Sequence, residues 1–277
     1  MPRLMGKIAM VTGCSGEHGI GRAIARRLAA DGADLVLTSS GVRLAINKPT
    51  GGWGGLEAVA QEVRNAGQRA LPLPLDIRSA AQIGEAIDRT LKEFGHLDIL
   101  VNNAAAPAGA DRVPVTELSE EAWDIVLNVN LKGTFLCCKA AANAMLSQRI
   151  QGRIINIGSD NSKIGQPRLA AYCASKFGLV GFTQALAMEL APAGITVNTV
   201  CPGPVDTERV DHLGRRPDGT YDETQRQARI AQLSSATPLG RLATPKDVAD
   251  LTAFLASDEA AYITGQAINL VGGLIMH

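Results

Sequence analysis

Tyr172 and Lys176 stand four positions apart, and Ser159 lies 13 residues upstream of the tyrosine. A phenol, an ammonium and a hydroxyl are the groups needed to move a proton on or off an alcohol oxygen while a hydride moves at carbon. Free tyrosine is a poor base near neutrality, because a pKa of ~10 leaves only ~0.1% ionised at pH 7. A lysine one helical turn away shares its face, and a nearby cation favours the phenolate. Of the three tyrosines, Tyr172, Tyr221 and Tyr262, only Tyr172 has a lysine at that spacing. Such pairs are also common on exposed helices, so the weight of this one depends on the elements that carry it.

Those elements alternate. Short apolar runs at Lys7–Val11, Asp34–Thr38, Ala70–Leu75, Leu97–Val101, Arg153–Ile157, Ile195–Val200 and Ala267–Leu270 read as seven strands. Helical patterns fall between them, at 20–31, 55–66, 80–94, 119–148, 170–191 and 245–256. Ser79 with Gln82, Ser119 before an acidic turn, and Thr244-Pro245 with Asp247 are start signals for three of these helices. Nearly all-apolar strands alternating with helices predict a parallel sheet covered on both faces. Right-handed crossovers then give a doubly wound, Rossmann-type α/β fold, read here as one domain over residues 1–277. Residues 40–55 form a long loop, and 203–240 a polar excursion that has the character of a substrate lid.

The first strand runs into Thr12-Gly13-Cys14-Ser15-Gly16-Glu17-His18-Gly19-Ile20-Gly21 and then a helix. Glycines between a strand and a helix permit a tight turn and close approach of the backbone to a pyrophosphate. The helix end adds free amides and the positive end of its dipole. Gly13, Ser15, Gly19, Ile20 and Gly21 are therefore candidate dinucleotide contacts. An acidic residue after the second strand would hold both ribose hydroxyls and repel a 2′-phosphate. Ser39 and Ser40 stand there instead, with Arg43 and Lys48 in the loop beyond, which favours NADP over NAD while leaving both open. The two cations equally fit a solvated loop. Asp76, followed by Ile77, is placed to accept from an adenine amino group. Asn103 and Ala104 leave room for the adenosine, and Pro202, Gly203, Val205 and Thr207 would meet the carboxamide end of a nicotinamide.

Whole-chain properties narrow the classes. At 277 residues, 46% hydrophobic and 19% charged, the composition is globular. Lys+Arg and Asp+Glu balance at 27 each, which disfavours nucleic-acid binding. The first apolar run, Ile8 to Val11, is too short for a signal peptide or a membrane span. Five cysteines and four scattered histidines show no metal-binding spacing, so no metal is expected. Free thiols in a reducing compartment, and hence a cytoplasmic location, are expected.

Taken together these residues resemble the short-chain dehydrogenases/reductases over essentially the whole chain. The resemblance rests on Thr-Gly…Gly-Ile-Gly, Asp76, Asn-Asn-Ala, Asn130 in Asn-Val-Asn-Leu, Ser159, Tyr172-x-x-x-Lys176, Pro-Gly at 202–203 and Ile263-Thr264-Gly265-Gln266. It implies a catalytic tetrad of Asn130, Ser159, Tyr172 and Lys176. In it Tyr172 exchanges the proton, Lys176 also holds the nicotinamide ribose, Ser159 binds the substrate oxygen, and Asn130 holds a water linked to Lys176. It also implies a dimer or tetramer built through the helices before and containing Tyr172.

Two departures stand out. Five residues separate Gly13 from Gly19 where three are usual, a spacing similar to that of the divergent enoyl-thioester reductases of the superfamily. Those enzymes place six residues between tyrosine and lysine; this chain has three, which argues for carbonyl or alcohol chemistry. The second departure is Ala105 in place of the usual glycine after Asn-Asn-Ala.

The substrate is less legible. Asp160, Asn161, Ser162 and Lys163 follow Ser159, Arg168 precedes Tyr172, and the excursion carries Asp206, Glu208, Arg209, Asp211, His212, Arg215 and Arg216. Polar groups near the reacting centre suit a sugar or polyol; they equally fit a solvated lid with its charges outward. A 3-oxoacyl thioester is the second enzyme candidate, with Arg22, Arg26 and Arg27 as weak recruiters of its carrier. A non-catalytic dinucleotide sensor is the third, and it would be expected to lack Tyr172 or Lys176. Trp53 could cover the adenosine or a neighbouring subunit.

Overall fold

The computed structural model describes residues 2–41, 52–207, 210, 213–214 and 220–276. Successive side chains of a strand point to opposite faces, and the first two strands divide the core accordingly. In β1 (Ile8–Thr12), Ala9 and Val11 join one apolar cluster and Ile8 and Met10 the other. In β2 (Asp34–Ser39), Leu35 and Leu37 join the first and Val36 the second. The remaining strands are β3 (Ala70–Pro74), β4 (Ile99–Asn102), β5 (Arg153–Ile157), β6 (Thr196–Pro202) and β7 (Ala267–Leu270). All pair in parallel in the order β3-β2-β1-β4-β5-β6-β7. This is the doubly wound seven-stranded sheet that the alternation predicts.

Helices α1 (Ile20–Ala30), α2 (Gly55–Asn65) and α8 (Pro245–Ala256) cover one face, through Ile24, Leu28, Val59, Val63 and Val248. Helices α3 (Ala80–Phe94), α5 (Thr134–Ser147) and α6 (Ala170–Leu190) cover the other, through Ile83, Ile87, Cys138, Met145 and Leu190. The expected caps form. Ser79 accepts from Gln82 N at 3.3 Å, and Thr244 and Asp247 bond reciprocally at the start of α8. Each such cap contributes about 1 kcal/mol.

Edge strand β3 contains two prolines. Leu75 N donates inward to Ser39 O, so by the period of two the nitrogens of Pro72 and Pro74 face away from the sheet. There no donor is missed.

Two parts of the fold differ from expectation. The polar excursion contains a helix, α7 (Glu223–Ala236), none of whose residues is buried. The pattern at 119–148 is α4 (Glu120–Leu127), then a π-helical stretch over Asn128–Gly133, then α5. Such wide turns interrupt α-helices chiefly at functional sites, and this one carries Asn130. Gly133 within it lets the helix close on Ile77, since a Cβ there would lie 2.8 Å from Ile77 Cδ1.

The strand order reverses between β1 and β4, and the crevice beyond their C-terminal ends is where an open parallel sheet binds its ligand. A cleft of about 1710 Å³ lies there, lined from Gly13 and Ser39 at one end to Tyr172 and Thr207 at the other.

Candidate active site

The glycine turn is built by close approach. Gly13 takes φ +73°, and a Cβ on it would meet Ala104 Cα at 2.8 Å. A Cβ on Gly21 would sit 2.4 Å from Gly13 O and 2.6 Å from Asn103 Nδ2. The Asn103 amide donates to Thr12 O and Gly13 O, both at 2.9 Å, so this side chain braces the turn. Gly19 caps α1 with no side-chain bond, leaving the first amides of that helix for an anion in the cleft wall formed by Ser15, Gly16, Gly19, Ile20 and Gly21. Gly21→Ala is expected to lower stability by roughly 1–3 kcal/mol through overpacking, read as a fall in Tm, and to weaken nucleotide binding with it.

The lengthened turn has a brace that its spacing does not reveal. Trp53 Nε1 donates to Ser15 O at 2.8 Å, and the Arg22 guanidinium lies 4.6 Å from the indole centroid. Arg22 in turn donates to Glu17 O and forks onto Glu62 of α2 at 2.9 and 2.5 Å. The hydrogen bond from Arg22 holds the Glu62 carboxyl below its usual range. Trp53 therefore covers the glycine turn itself. Cys14, inside that turn, is sealed from solvent, and burial pushes its thiol up to about 12. It packs and does not react at neutral pH.

At the ribose end, Ser15 Oγ and Ser39 Oγ are 2.8 Å apart, and Gly41 N donates to Ser39 Oγ at 3.4 Å. Ser40 also lines the cleft. Thr38 Oγ1 is buried there with no hydrogen-bond partner among the described residues. Arg43 and Lys48 lie outside the described residues, as do Glu208, Arg209, Asp211, His212, Arg215 and Arg216. Farther along, Arg78 grips Asp76 with three side-chain bonds of 2.6 to 3.0 Å. That grip holds the Asp76 carboxyl below its usual range and brings a guanidinium, unremarked in the sequence, to the cleft wall. Ile77 and Ala104 line the same wall.

At the far end, Tyr172 sits in the first turn of α6 with Lys176 one turn on. The Lys176 ammonium is 5.8 Å from the Tyr172 ring centroid and donates to Ile157 O at 2.7 Å, with the residue only 4% exposed. Burying an ammonium this deeply is costly unless it is bonded, so its position at the end of β5 is strongly determined. Both residues line the cleft, beside Ile157 and Gly158. Ser159 follows directly. Its Oγ donates to Asp160 Oδ1 at 2.7 Å and accepts from Asn161 N at 3.2 Å.

Asn130 is 1% exposed; its Oδ1 accepts from Ala106 N at 2.8 Å and its Nδ2 donates to Ser175 Oγ at 3.0 Å. Ser175 Oγ donates on to Tyr172 O at 2.7 Å. The side chain thus ties the loop after β4 to the turn of α6 that presents Tyr172.

Parallel strands that end in a braced glycine turn, with a tyrosine–lysine pair closing the same cleft, match known proteins over the whole chain. A family model described as enoyl-(acyl carrier protein) reductase matches residues 13–275. A short-chain dehydrogenase/reductase of Armillaria gallica is 38% identical over 273 residues, covering 98% of this chain and 96% of that protein. The chain belongs to the short-chain dehydrogenase/reductase family.

Relatives of this family member include the 3-oxoacyl-(acyl-carrier-protein) reductase of Escherichia coli (strain K12), 38% identical over 271 residues and 98% of both chains. Among solved structures, the aldohexose dehydrogenase of Thermoplasma acidophilum aligns with a TM-score of 0.82 at 30% identity, over 99% of this chain and 95% of that one. This short-chain dehydrogenase/reductase is thus an oxidoreductase of a family that generally uses NAD(P).

The fold does not bring every expected contact to the cleft. Thr207 lines it, but Asn130, Ser159, Pro202, Gly203 and Val205 are not among the lining residues. Pro202 pairs with Leu270 within the sheet, Gly203 N donates to Leu270 O at 3.0 Å, and Val205 bridges Ala243. Gly203 N is thus spent on β7, while the Val205 bridge is made by Pro204 O and Asp206 N.

Proposed function

We propose that this protein is an NADP-dependent enzyme interconverting a secondary alcohol and its ketone on an oxygen-rich substrate of the sugar or polyol class. The observation that carries the alcohol–ketone chemistry is Tyr172 one turn from the buried Lys176, in the wall of a cleft whose opposite end is a glycine turn. Gly13, Ser15, Gly19, Ile20 and Gly21 would hold the pyrophosphate, and a Cβ at Gly13 or Gly21 would have no room. When bound, the nicotinamide supplies or accepts the hydride. The chain handles the proton. Tyr172 takes it from the alcohol oxygen or returns it to the ketone oxygen, Lys176 supplies the positive charge that favours the phenolate, and Ser159 would orient the reacting oxygen once its hydroxyl turns from Asp160 Oδ1.

Two features support NADP. The end of β2 offers the Ser15–Ser39 hydroxyl pair and no carboxylate, and the unpartnered Thr38 hydroxyl adds a donor there. Arg78 also brings a guanidinium donor to the same wall, its charge offset by the paired Asp76.

The names of relatives favour a second reading, 3-oxoacyl thioester reduction. The arginines available to recruit an acidic carrier are largely committed: Arg22 to Glu62, and Arg27 to Asp31 and Asp250. Enoyl reduction is disfavoured by the three-residue spacing of Tyr172 and Lys176.

A homodimer or homotetramer built through α5 and α6 is part of the same proposal. Phe135 and Leu146 on α5, and Phe177 and Met188 on α6, are each pair eleven residues apart and so share a face, and all four are exposed. The five cysteines are free and buried, in keeping with a cytoplasmic location.

The assay is nicotinamide absorbance with NAD and NADP against sugars, polyols, cyclic alcohols and 3-oxoacyl thioesters. NADP-linked turnover is expected to be fastest on a polyhydroxylated substrate; a thioester outrunning every polyol would reverse the order of the two readings.

A further inference from the structure

We infer that Trp53 and Arg22 are positioning residues for the dinucleotide: from outside the lengthened glycine turn they hold its carbonyls, and so leave its amides to the pyrophosphate. This rests on the proposed nucleotide reading and adds the residues that set the polarity of its phosphate site.

A longer turn brings a difficulty with it. Each added peptide carries a carbonyl as well as an amide, and a carbonyl turned toward a pyrophosphate would meet it acceptor to acceptor. Every carbonyl of the stretch Ser15–Glu17 has a donor that takes it up. Ser15 O accepts from Trp53 Nε1 at 2.8 Å, Gly16 O from Gly19 N at 3.3 Å, and Glu17 O from the Arg22 guanidinium. The amides of Ser15, Gly16 and Glu17 donate to no described residue, and all three residues line the cleft. Successive N–H groups left open in a turn form an anion-binding concavity.

Two of those three carbonyls are held by side chains from outside the turn. A trans peptide is planar, with its C=O and N–H pointing in opposite directions. Fixing Ser15 O on the indole therefore also fixes the Gly16 N–H, directed away from that ring. Trp53 is held in its turn. The Arg22 guanidinium lies 4.6 Å from the indole centroid, and Glu62 of α2 takes its fork at 2.9 and 2.5 Å. One cation thus binds the second carbonyl and steadies the donor to the first.

The test is calorimetric titration of NADPH and NADH into the unsubstituted protein, Trp53→Phe and Arg22→Lys, with kcat measured at saturating nucleotide on the best substrate of the absorbance screen. Trp53→Phe keeps an aromatic face beside Arg22 and loses the N–H donor. Its Kd for each dinucleotide is expected to rise about 10-fold, with kcat unchanged within about threefold. The pyrophosphate is common to both nucleotides, so the ratio of the two Kd values should stay within about threefold. Arg22→Lys keeps a charge beside Glu62 but has no fork, and should raise both Kd values about threefold or more. A merely structural role would lower the number of binding sites at unchanged Kd, and that result overturns the inference. A Trp53→Phe Kd within about twofold of the unsubstituted protein overturns it too, as does a loss confined to one nucleotide. If Trp53→Phe does not fold, Arg22→Lys carries the test, and an unchanged Kd there overturns the inference. An unsubstituted protein that binds neither nucleotide would overturn the nucleotide reading itself.

Discussion

Tyr172→Phe is expected to lower kcat/KM about a thousandfold on every substrate turned over, with nucleotide affinity kept within about threefold. The substitution removes one oxygen and leaves the ring. Among the described residues, it removes the group at this end of the cleft suited to trade a proton with an alcohol oxygen. Lys176 cannot take over, because its ammonium is buried and committed to Ile157 O. Ser159 cannot either, because its proton is committed to Asp160. Folding should survive, since the loss falls on a cleft wall and the bond from Ser175 Oγ to the Tyr172 carbonyl is kept. Proton transfer by a positioned side chain contributes about 10²–10⁴-fold, and a thousandfold is the middle of that range.

Ser39→Asp is expected to move the NADP-to-NAD ratio of kcat/KM about 100-fold toward NAD. The new carboxylate would take the place of a hydroxyl that now lies 2.8 Å from Ser15 Oγ, at the end of β2 where the ribose sits in this fold. Two like charges ~5 Å apart in a partly solvated site repel by on the order of 2 kcal/mol, about 30-fold against the 2′-phosphate. The same carboxylate accepts from both hydroxyls of an unphosphorylated ribose, which adds the remaining factor in favour of NAD. Steady-state kinetics with both nucleotides on one substrate measures the ratio. An unchanged ratio would mean that the 2′-position is not recognised at Ser39.

The strands and the covering helices were legible because their physics is local. Period-two alternation in β1 and β2, and the caps at Ser79, Ser119 and Thr244, are carried by neighbouring residues. Helix α7 was hidden because none of its residues is fully buried, so its sequence shows no apolar stripe to count. The π-helical stretch was hidden for the opposite reason: the apolar pattern runs through it unbroken, and only its packing on Ile77 and Ala106 marks it.

The candidate site divides in the same way. Tyr172, Lys176 and the glycine turn carry their spacing in the chain. The bond of Trp53 to Ser15 and the fork of Arg22 on Glu62 join residues 38 and 40 positions apart, which no motif encodes. Arg78 was within reach, two residues from Asp76. Pro-Gly at 202–203 read as a cofactor loop, and the structure sets it at the end of β6 beside Leu270 of β7, a pairing no motif encodes.

The central claim is that Tyr172, charged by Lys176, exchanges the proton of the reacting oxygen. The most direct measurement is single-turnover hydride transfer at saturating nucleotide, followed by nicotinamide absorbance, in the unsubstituted protein and in Tyr172→Phe, with nucleotide affinity measured on the same samples. A rate about a thousandfold lower at undiminished nucleotide affinity is the predicted result. A rate close to that of the unsubstituted protein would contradict it.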